Sequence, residues 1–241
     1  MLPPKTILLI GATSGIGYAL AEAYLRAGWR VAATGRRHEL LEQLQRLQPD
    51  LVHIRQHDVT AANSLAVLED LLAESGPADV VVYNSGVGLA NKKLDFDIDK
   101  KTIDVNVTGF VEVATWAYQY FRERGGGQFV GVSSVASLRG GRAAPAYNAS
   151  KAFISNYMEG MRQKVRHHRM PLFVTDIRPG FVHTPMTEQN TRMFWVATPE
   201  KAARQIMAAI QRRARVAYIT KRWALVALAF WLVPKALYER G

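Results

Sequence analysis

The chain has 241 residues, 49% hydrophobic and 21% charged, enough to bury a full core and unlike the composition of a disordered or low-complexity scaffold. Cysteine is absent, which excludes disulfides, thiolate metal sites and a cysteine nucleophile and fits a reducing compartment. The formal net charge is +11, and +8 of it falls after residue 200, where nine Lys and Arg residues meet one acid, Glu239. Such a basic tail suits an acidic surface such as anionic lipid better than the spread charge of a nucleic-acid binder, so no nucleic-acid partner is expected.

Apolar runs of strand length alternate with helical patterns along the whole chain. KTILLI (5–10) precedes a helical stretch over 16–27, RVAATG (30–35) precedes a leucine-periodic one over 38–47, and LVHIRQHDV (51–59) precedes one over 61–75. DVVVYN (79–84) is followed by a long segment near 97–122, and QFVGVSS (128–134), PLFVTDIRP (171–179) and RVAYIT (215–220) complete the series. Continuous apolar strands separated by helices predict a doubly wound α/β fold of the Rossmann type. It has a seven-stranded parallel sheet flanked by helices and an apolar C-terminal helix. No repeat or linker divides the chain, so one domain is expected over 1–241, with residues 222–241 as a basic and apolar tail. The opening MLPPKTILLI runs straight into a strand without a charged leader or cleavage site, and a cytoplasmic protein is expected.

The first strand ends in GATSGIG, Gly11 to Gly17, and a helix opens at once. Glycines there permit a tight turn and let the backbone approach a pyrophosphate, to which the helix N-terminus offers unpaired N–H groups. The spacing is neither GxGxxG nor a P-loop, and the bland alternative is a turn with no ligand. After the second strand comes Gly35-Arg36-Arg37, where a dinucleotide fold would place an acid for the ribose hydroxyls. Arginine forks suit a 2′-phosphate, which favours NADP(H) over NAD(H); the alternative is two solvated arginines at a helix start.

Further on, Ser134 ends a strand, Tyr147 follows, and Lys151 sits one helical turn beyond Tyr147. The i, i+4 spacing puts phenol and ammonium on one helix face, where the cation is expected to lower the Tyr147 pKa and prepare it as a general acid/base. A hydroxyl from Ser134 is placed to bond the reacting oxygen. Taken alone, Tyr-x-x-x-Lys is common and is more often only a helix surface pair.

Together these motifs resemble the classical short-chain dehydrogenase/reductase family, in order and over nearly the whole chain. GATSGIG matches its cofactor turn, which implies nucleotide contacts at Gly11, Thr13, Ser14, Gly15, Ile16 and Gly17, with Arg36 and Arg37 beyond the second strand. Asp58-Val59 matches its adenine contact, and Tyr83-Asn84-Ser85-Gly86 its sheet-steadying NNAG segment. Asn106 in DVNVTG falls on the family's catalytic asparagine, and Ser134, Tyr147 and Lys151 on the rest of the tetrad. Arg178-Pro179-Gly180-Phe181-Val182-His183-Thr184 resembles the nicotinamide-side motif, which implies cofactor contacts at Pro179, Gly180, Val182 and Thr184. Ile10 stands where the family has threonine, and Ser85 where it has alanine. His183 stands where it often has aspartate or a small residue, and reads as a pH-sensitive group or as a surface residue of a mobile loop.

The resemblance implies hydride transfer between NADP(H) and a carbonyl/alcohol pair. Tyr147 would pass the proton, Ser134 would stabilise the oxygen, Lys151 would hold the ribose and lower the Tyr147 pKa, and Asn106 would support a water leading from Lys151. No metal is expected. The stretch 183–199 should form the substrate lid; with Val135, the side chains of Met186, Met193, Phe194 and Trp195 suggest an apolar pocket wall and a hydrophobic substrate. Met193-Phe194-Trp195 reads equally as packing of the lid on the core. The expected activity is that of a carbonyl reductase or alcohol dehydrogenase, the competitors being a 3-oxoacyl or long-chain keto-lipid reductase and a non-catalytic NADP(H)-binding protein.

The tail is the most individual segment. Lys221-Arg222 precede WALVALAFWLV (223–233), closed by Pro234-Lys235. As a helix this run spans roughly 16 Å, about half a hydrocarbon core, and so cannot cross a bilayer. Two readings stand: peripheral contact through 222–238 at the inner face of a membrane, or packing against the same subunit or a symmetry mate in a homodimer or homotetramer.

Overall fold

The first strand, β1 (Thr6–Ile10), is buried along its whole length, and its side chains alternate between two cores. Ile7 and Leu9 face one, Leu8 and Ile10 the other, the period of two that a strand covered on both faces must show. The computed structural model describes residues 4–188, 190 and 193–239. Gln189, Thr191 and Arg192 of the expected lid, and Arg240 and Gly241 of the tail, lie outside the described residues.

From β1 the chain runs through α1 (Gly15–Arg26), β2 (Arg30–Gly35), α2 (His38–Leu47), β3 (Val52–Gln56), α3 (Ser64–Ser75) and β4 (Val80–Tyr83). It continues through α4 (Phe96–Ile103), α5 (Gly109–Arg124), β5 (Gly127–Val132), α6 (Pro145–His167), β6 (Leu172–Pro179), α7 (Pro199–Gln211) and β7 (Val216–Ile219). Among the described residues the strands form one seven-stranded parallel sheet in the order β3-β2-β1-β4-β5-β6-β7. One face is covered by Leu20 and Tyr24 of α1, Leu41 and Leu44 of α2, and Ile206 and Ile210 of α7. The other is covered by Leu68 and Leu71 of α3, Phe110 and Phe121 of α5, and Ile154 and Met158 of α6. The order reverses between β1 and β4, and there the carboxyl ends of neighbouring strands leave a crevice open.

The long helical segment expected near 97–122 is two helices, α4 and α5, joined through a π-helical turn at Asp104–Thr108. The widened turn carries Asn106, whose side chain is fully buried. Gly109 then lets α5 run close against Val59, whose carbonyl would lie 2.8 Å from an added Cβ. The third strand stops at Gln56 and the fifth at Val132, each short of the apolar run, because His57-Asp58-Val59 and Ser133-Ser134 leave the sheet to line or back the crevice.

After β7 the tail forms α8 (Trp223–Leu232) and, past Pro234, the short α9 (Lys235–Tyr238). Arg139 fastens it: its guanidinium donates to the carbonyls of Phe230 and Val233, satisfying the open C-terminal end of α8, and lies over the Tyr238 ring at 5.5 Å.

Candidate active site

The crevice at the reversal point is built first by backbone. Gly11 has φ +93°, a conformation that side chains with a Cβ avoid, and a Cβ there would stand 2.7 Å from the Ser85 amide nitrogen. A Cβ at Gly17 would run into the Gly11 carbonyl and lie 2.6 Å from Asn84 Nδ2, which itself donates to that carbonyl at 2.7 Å. Gly17 therefore does not line the crevice as expected. It lets α1 start close against the turn, and its contribution is packing. Gly11, Thr13, Ser14, Gly15 and Ile16 do line the wall, with Asn84, Ser85 and Gly86 opposite.

The start of α1 is poised for an anion. Ser14 occupies the N-cap, but its side chain makes no capping bond and no acid lies in the first turn, so the helix keeps its open N–H groups. Ser14 Oγ instead accepts from Arg37 Nη2 at 2.7 Å, which also donates to Thr13 Oγ1 at 2.9 Å. Arg36 lines the same end and acts on Asp58. Burial pushes the Asp58 carboxyl up, but bonds from Thr60 N and Oγ1, at 2.9 and 2.8 Å, together with Arg36 outweigh it and hold the group below its ordinary range. Val59 completes this wall.

At the other end stand the hydroxyls. Ser134 caps the 3-10 turn Val135–Leu138: its Oγ accepts from Ala136 N at 3.1 Å and donates to the Pro179 carbonyl at 3.3 Å. Tyr147, in the first turns of α6, is hydrogen-bonded to Ser134. Lys151 is buried, its Nζ donating to the Val132 carbonyl at 3.0 Å and lying 5.8 Å from the Tyr147 ring centre. Asn106 does not line the crevice. Its amide clasps Val87 in both directions, accepting from the nitrogen at 2.8 Å and donating to the oxygen at 2.9 Å, and also donates to Ser150 Oγ at 3.0 Å. A Cβ on Gly86 would lie 3.2 Å from Lys151 Nζ and 3.3 Å from Asn106 Oδ1, so both side chains pack closely behind the wall at this glycine.

The electrostatics of this end differ from the expectation of an ammonium-lowered phenol. Burial pushes the Tyr147 phenol up, with the Ser134 hydrogen bond opposing it. Burial likewise pushes the Lys151 ammonium down to about 8, the charge of Asp176 opposing. Lys151 in the folded chain thus releases its proton before the unfolded chain does, at about 8 against 10.5. Between those values the unfolded state binds more protons, so this group makes the fold more stable as pH rises through the window and least favourable below it. Urea denaturation at about pH 7.5 and 9.5 is expected to show that rise flattened in Lys151→Met relative to wild type. Parallel pH slopes in the two proteins would contradict it.

Behind the hydroxyls lies a polar cluster that the sequence reading did not single out. Asp176 in β6 is fully buried; it accepts from Ser133 Oγ and from Arg178 Nε, the latter at 2.7 Å, and Arg178 Nη1 reaches the Tyr218 hydroxyl at 3.2 Å. An acid in the apolar run PLFVTDIRP was the available signal, since a buried carboxylate needs a partner. His57 was also missed. It lines the crevice beside Asp58, with Nδ1 3.2 Å from Thr34 Oγ1 and Nε2 2.9 Å from Ser64 Oγ, and burial pushes its pKa down.

The segment after β6 folds over the crevice. Pro179, Gly180, Val182, Thr184 and Met186 line it, and a Cβ on Gly15 would lie 2.6 Å from Thr184 Cγ2. Met186 Sδ and the Tyr147 ring both lie 3.4 Å from the position of a Cβ on Gly88, so this methionine stands at the hydroxyl end. The other expected pocket residues do not line the crevice. Val135 sits half-buried in the turn after Ser134, and Met193 is half-buried. Phe194 and Trp195 stack around Trp223 of α8, at 4.9 and 6.1 Å, because that indole, rather than the crevice, offers them apolar area. His183 is exposed and outside the crevice wall, its backbone nitrogen donating to the Ala197 carbonyl at 3.0 Å.

A cationic end, a helix start with open N–H groups, a turn with glycine at its closest approach and a hydroxyl end line one continuous cleft, and these donors fit a dinucleotide. Comparison with known proteins agrees. The short chain dehydrogenase family model matches residues 5–194. The chain belongs to the short-chain dehydrogenase/reductase family. An oxidoreductase of Myxococcus xanthus, itself uncharacterized, is 40% identical over 195 residues, covering 77% of this chain and 75% of the relative. A short-chain dehydrogenase structure from Streptomyces avermitilis is 26% identical with a TM-score of 0.82, covering 95% of this chain and 91% of its own. The closed form of a serine dehydrogenase, solved with NADP+, is 27% identical with a TM-score of 0.75, covering 85% and 88%. As a member of this family the protein is an NAD(P)-dependent oxidoreductase. Among the described residues no cluster of acids and histidines suited to a metal ion occurs, and no helix is long and apolar enough to cross a membrane.

Proposed function

We propose that this short-chain dehydrogenase/reductase transfers a hydride between NADP(H) and the carbonyl/secondary-alcohol pair of an apolar substrate, as a carbonyl reductase or alcohol dehydrogenase. The observation that carries the reading is the bonded Ser134–Tyr147 pair backed by buried Lys151, at the end of a cleft whose other end holds Arg36 and Arg37. NADP(H), when bound, supplies or accepts the hydride at its nicotinamide. Ser134 and Tyr147 hold the substrate oxygen between two hydroxyls, and in reduction Tyr147 gives its proton to that oxygen as charge builds there. Lys151 places a cation behind the phenol and a donor toward the ribose, and Asn106 braces the turn beside it. The glycine turn and the start of α1 would hold the pyrophosphate, Asp58 and Val59 the adenine at the far end, and Thr184 with Val182 the nicotinamide at the hydroxyl end.

The preference for NADP(H) rests on Arg36 and Arg37 after β2, where no acid stands, and on the serine dehydrogenase of similar fold that was solved with NADP+. The test is a panel of aldehydes, ketones and 3-oxoacyl thioesters followed by NADPH absorbance, with NADH in parallel. Arg36→Ala combined with Arg37→Ala is expected to raise the KM for NADPH by about 10–100-fold and to change that for NADH by less than about threefold. An equal change for both nucleotides would remove the NADP(H) preference. Failure of every carbonyl with both nucleotides would remove the activity.

A further inference from the structure

The ten residues of α8, WALVALAFWL, carry no charged side chain, yet the helix is neither core nor amphipathic. Trp223 is its buried anchor. Leu225, Leu228 and Leu232, at i, i+3 and i+7, form a strip with Trp231 beside it, and these four are 65%, 55%, 64% and 80% exposed. The exposed cations Lys221 and Arg222 precede the strip and Lys235 follows it, with no acid between residues 201 and 238. The strip is held in place. Arg139 clamps its C-terminal end, Tyr238 donates to the Gly140 carbonyl at 2.9 Å, and Trp223 packs on Phe181 and Phe194 at 5.5 and 4.9 Å. Its fixed position is therefore beside the turn that follows Ser134 and the segment that folds over the cleft.

Charge decides what covers such a strip. A second copy that covered the strip with its own α8 across a twofold axis would set Lys221 and Arg222 against Lys235, or each end against itself, and both arrangements bring like charges together. An anionic bilayer meets both ends favourably. At 1.5 Å per residue α8 is about 15 Å long, half the hydrocarbon thickness, so it lies along the interface rather than across it.

We propose that α8 docks this protein on anionic phospholipid, the Leu225–Leu228–Trp231–Leu232 strip among the acyl chains and the flanking cations at the headgroups. Docking sets the mouth of the cleft beside the bilayer, so that the substrate is an apolar carbonyl compound drawn from the membrane. The substrate clause rests on the proposed reductase activity; the docking does not.

The test is sedimentation of the full chain with vesicles of phosphatidylcholine plus phosphatidylglycerol and, separately, of phosphatidylcholine alone. The chain is expected to sediment with the mixed vesicles, to bind the neutral ones at least about tenfold less, and to be released by salt. Leu228→Glu combined with Trp231→Glu is expected to lower partition at least about tenfold while NADPH fluorescence titration stays unchanged, since both residues lie outside the cleft. Should that variant fail to fold, reversal of Lys221, Arg222 and Lys235 to glutamate is expected to abolish the preference for anionic vesicles. No sedimentation, equal binding to both vesicles, wild-type binding by the variants, or a dimer in sedimentation equilibrium that the Leu228→Glu, Trp231→Glu protein loses would each overturn the proposal. Vesicle binding without turnover on any carbonyl would overturn the reductase reading and leave the docking standing.

Discussion

Tyr147→Phe is expected to lower kcat by about 10²–10⁴-fold while the dissociation constant for NADPH changes by less than about threefold, because a general acid supplies rate enhancement of that order and the ring supplies the packing. The substitution removes one oxygen. The ring keeps its place beside Met186 against Gly88, Lys151 keeps its bond to the Val132 carbonyl, and Ser134 keeps both Ala136 and Pro179. What is lost is the proton that reaches the substrate oxygen. Stopped-flow measurement of NADPH consumption beside a fluorescence titration separates the two quantities. Turnover at the wild-type rate would remove Tyr147 from the chemistry, and a parallel loss of nucleotide binding would make its role structural.

Asp176→Ala is expected to lower the free energy of unfolding by about 3–5 kcal/mol, the cost of leaving one partner of a buried ion pair alone. Asp176 is fully buried, and the side chain of Arg178 is only 16% exposed, so the stranded guanidinium has little water to turn to. Ser133 loses its acceptor on the same carboxylate, and Lys151 loses the anion that offsets its burial. Asp104→Ala offers the contrast: its partner Lys100 is on the surface, and a loss of no more than about 1 kcal/mol is expected there. Urea denaturation of the two variants reads both values. A loss under about 1 kcal/mol for Asp176→Ala would show that the cluster relaxes or hydrates.

These two residues were unequally visible. Tyr147 stands in a local pattern, four residues before Lys151 on one helix, and a helix repeats closely enough that spacing alone places both side chains on one face. Asp176 owes its partners to chain segments far apart, Ser133 at the end of β5 and Tyr218 in β7, which only the pairing of β5, β6 and β7 brings together. The same holds for Gly17, which reads as a phosphate-loop glycine but is spent on contact with Gly11 and Asn84. Phe194 and Trp195 were apolar enough for a pocket wall, and their actual neighbour, Trp223, is twenty-eight residues away from Trp195.

By itself the amino-acid order determined the alternation of strand and helix, the parallel sheet and the motifs that mark the two ends of the cleft, because each of these depends on periodicity or on residues close in the chain. Only the folded chain decided where the strands end, that a widened turn buries Asn106, that burial lowers the Lys151 pKa, and that Arg139 pins a bare apolar helix beside the cleft. Those features depend on distances between segments remote in sequence and on the loss of water around a group, and neither quantity is encoded in any short stretch of residues.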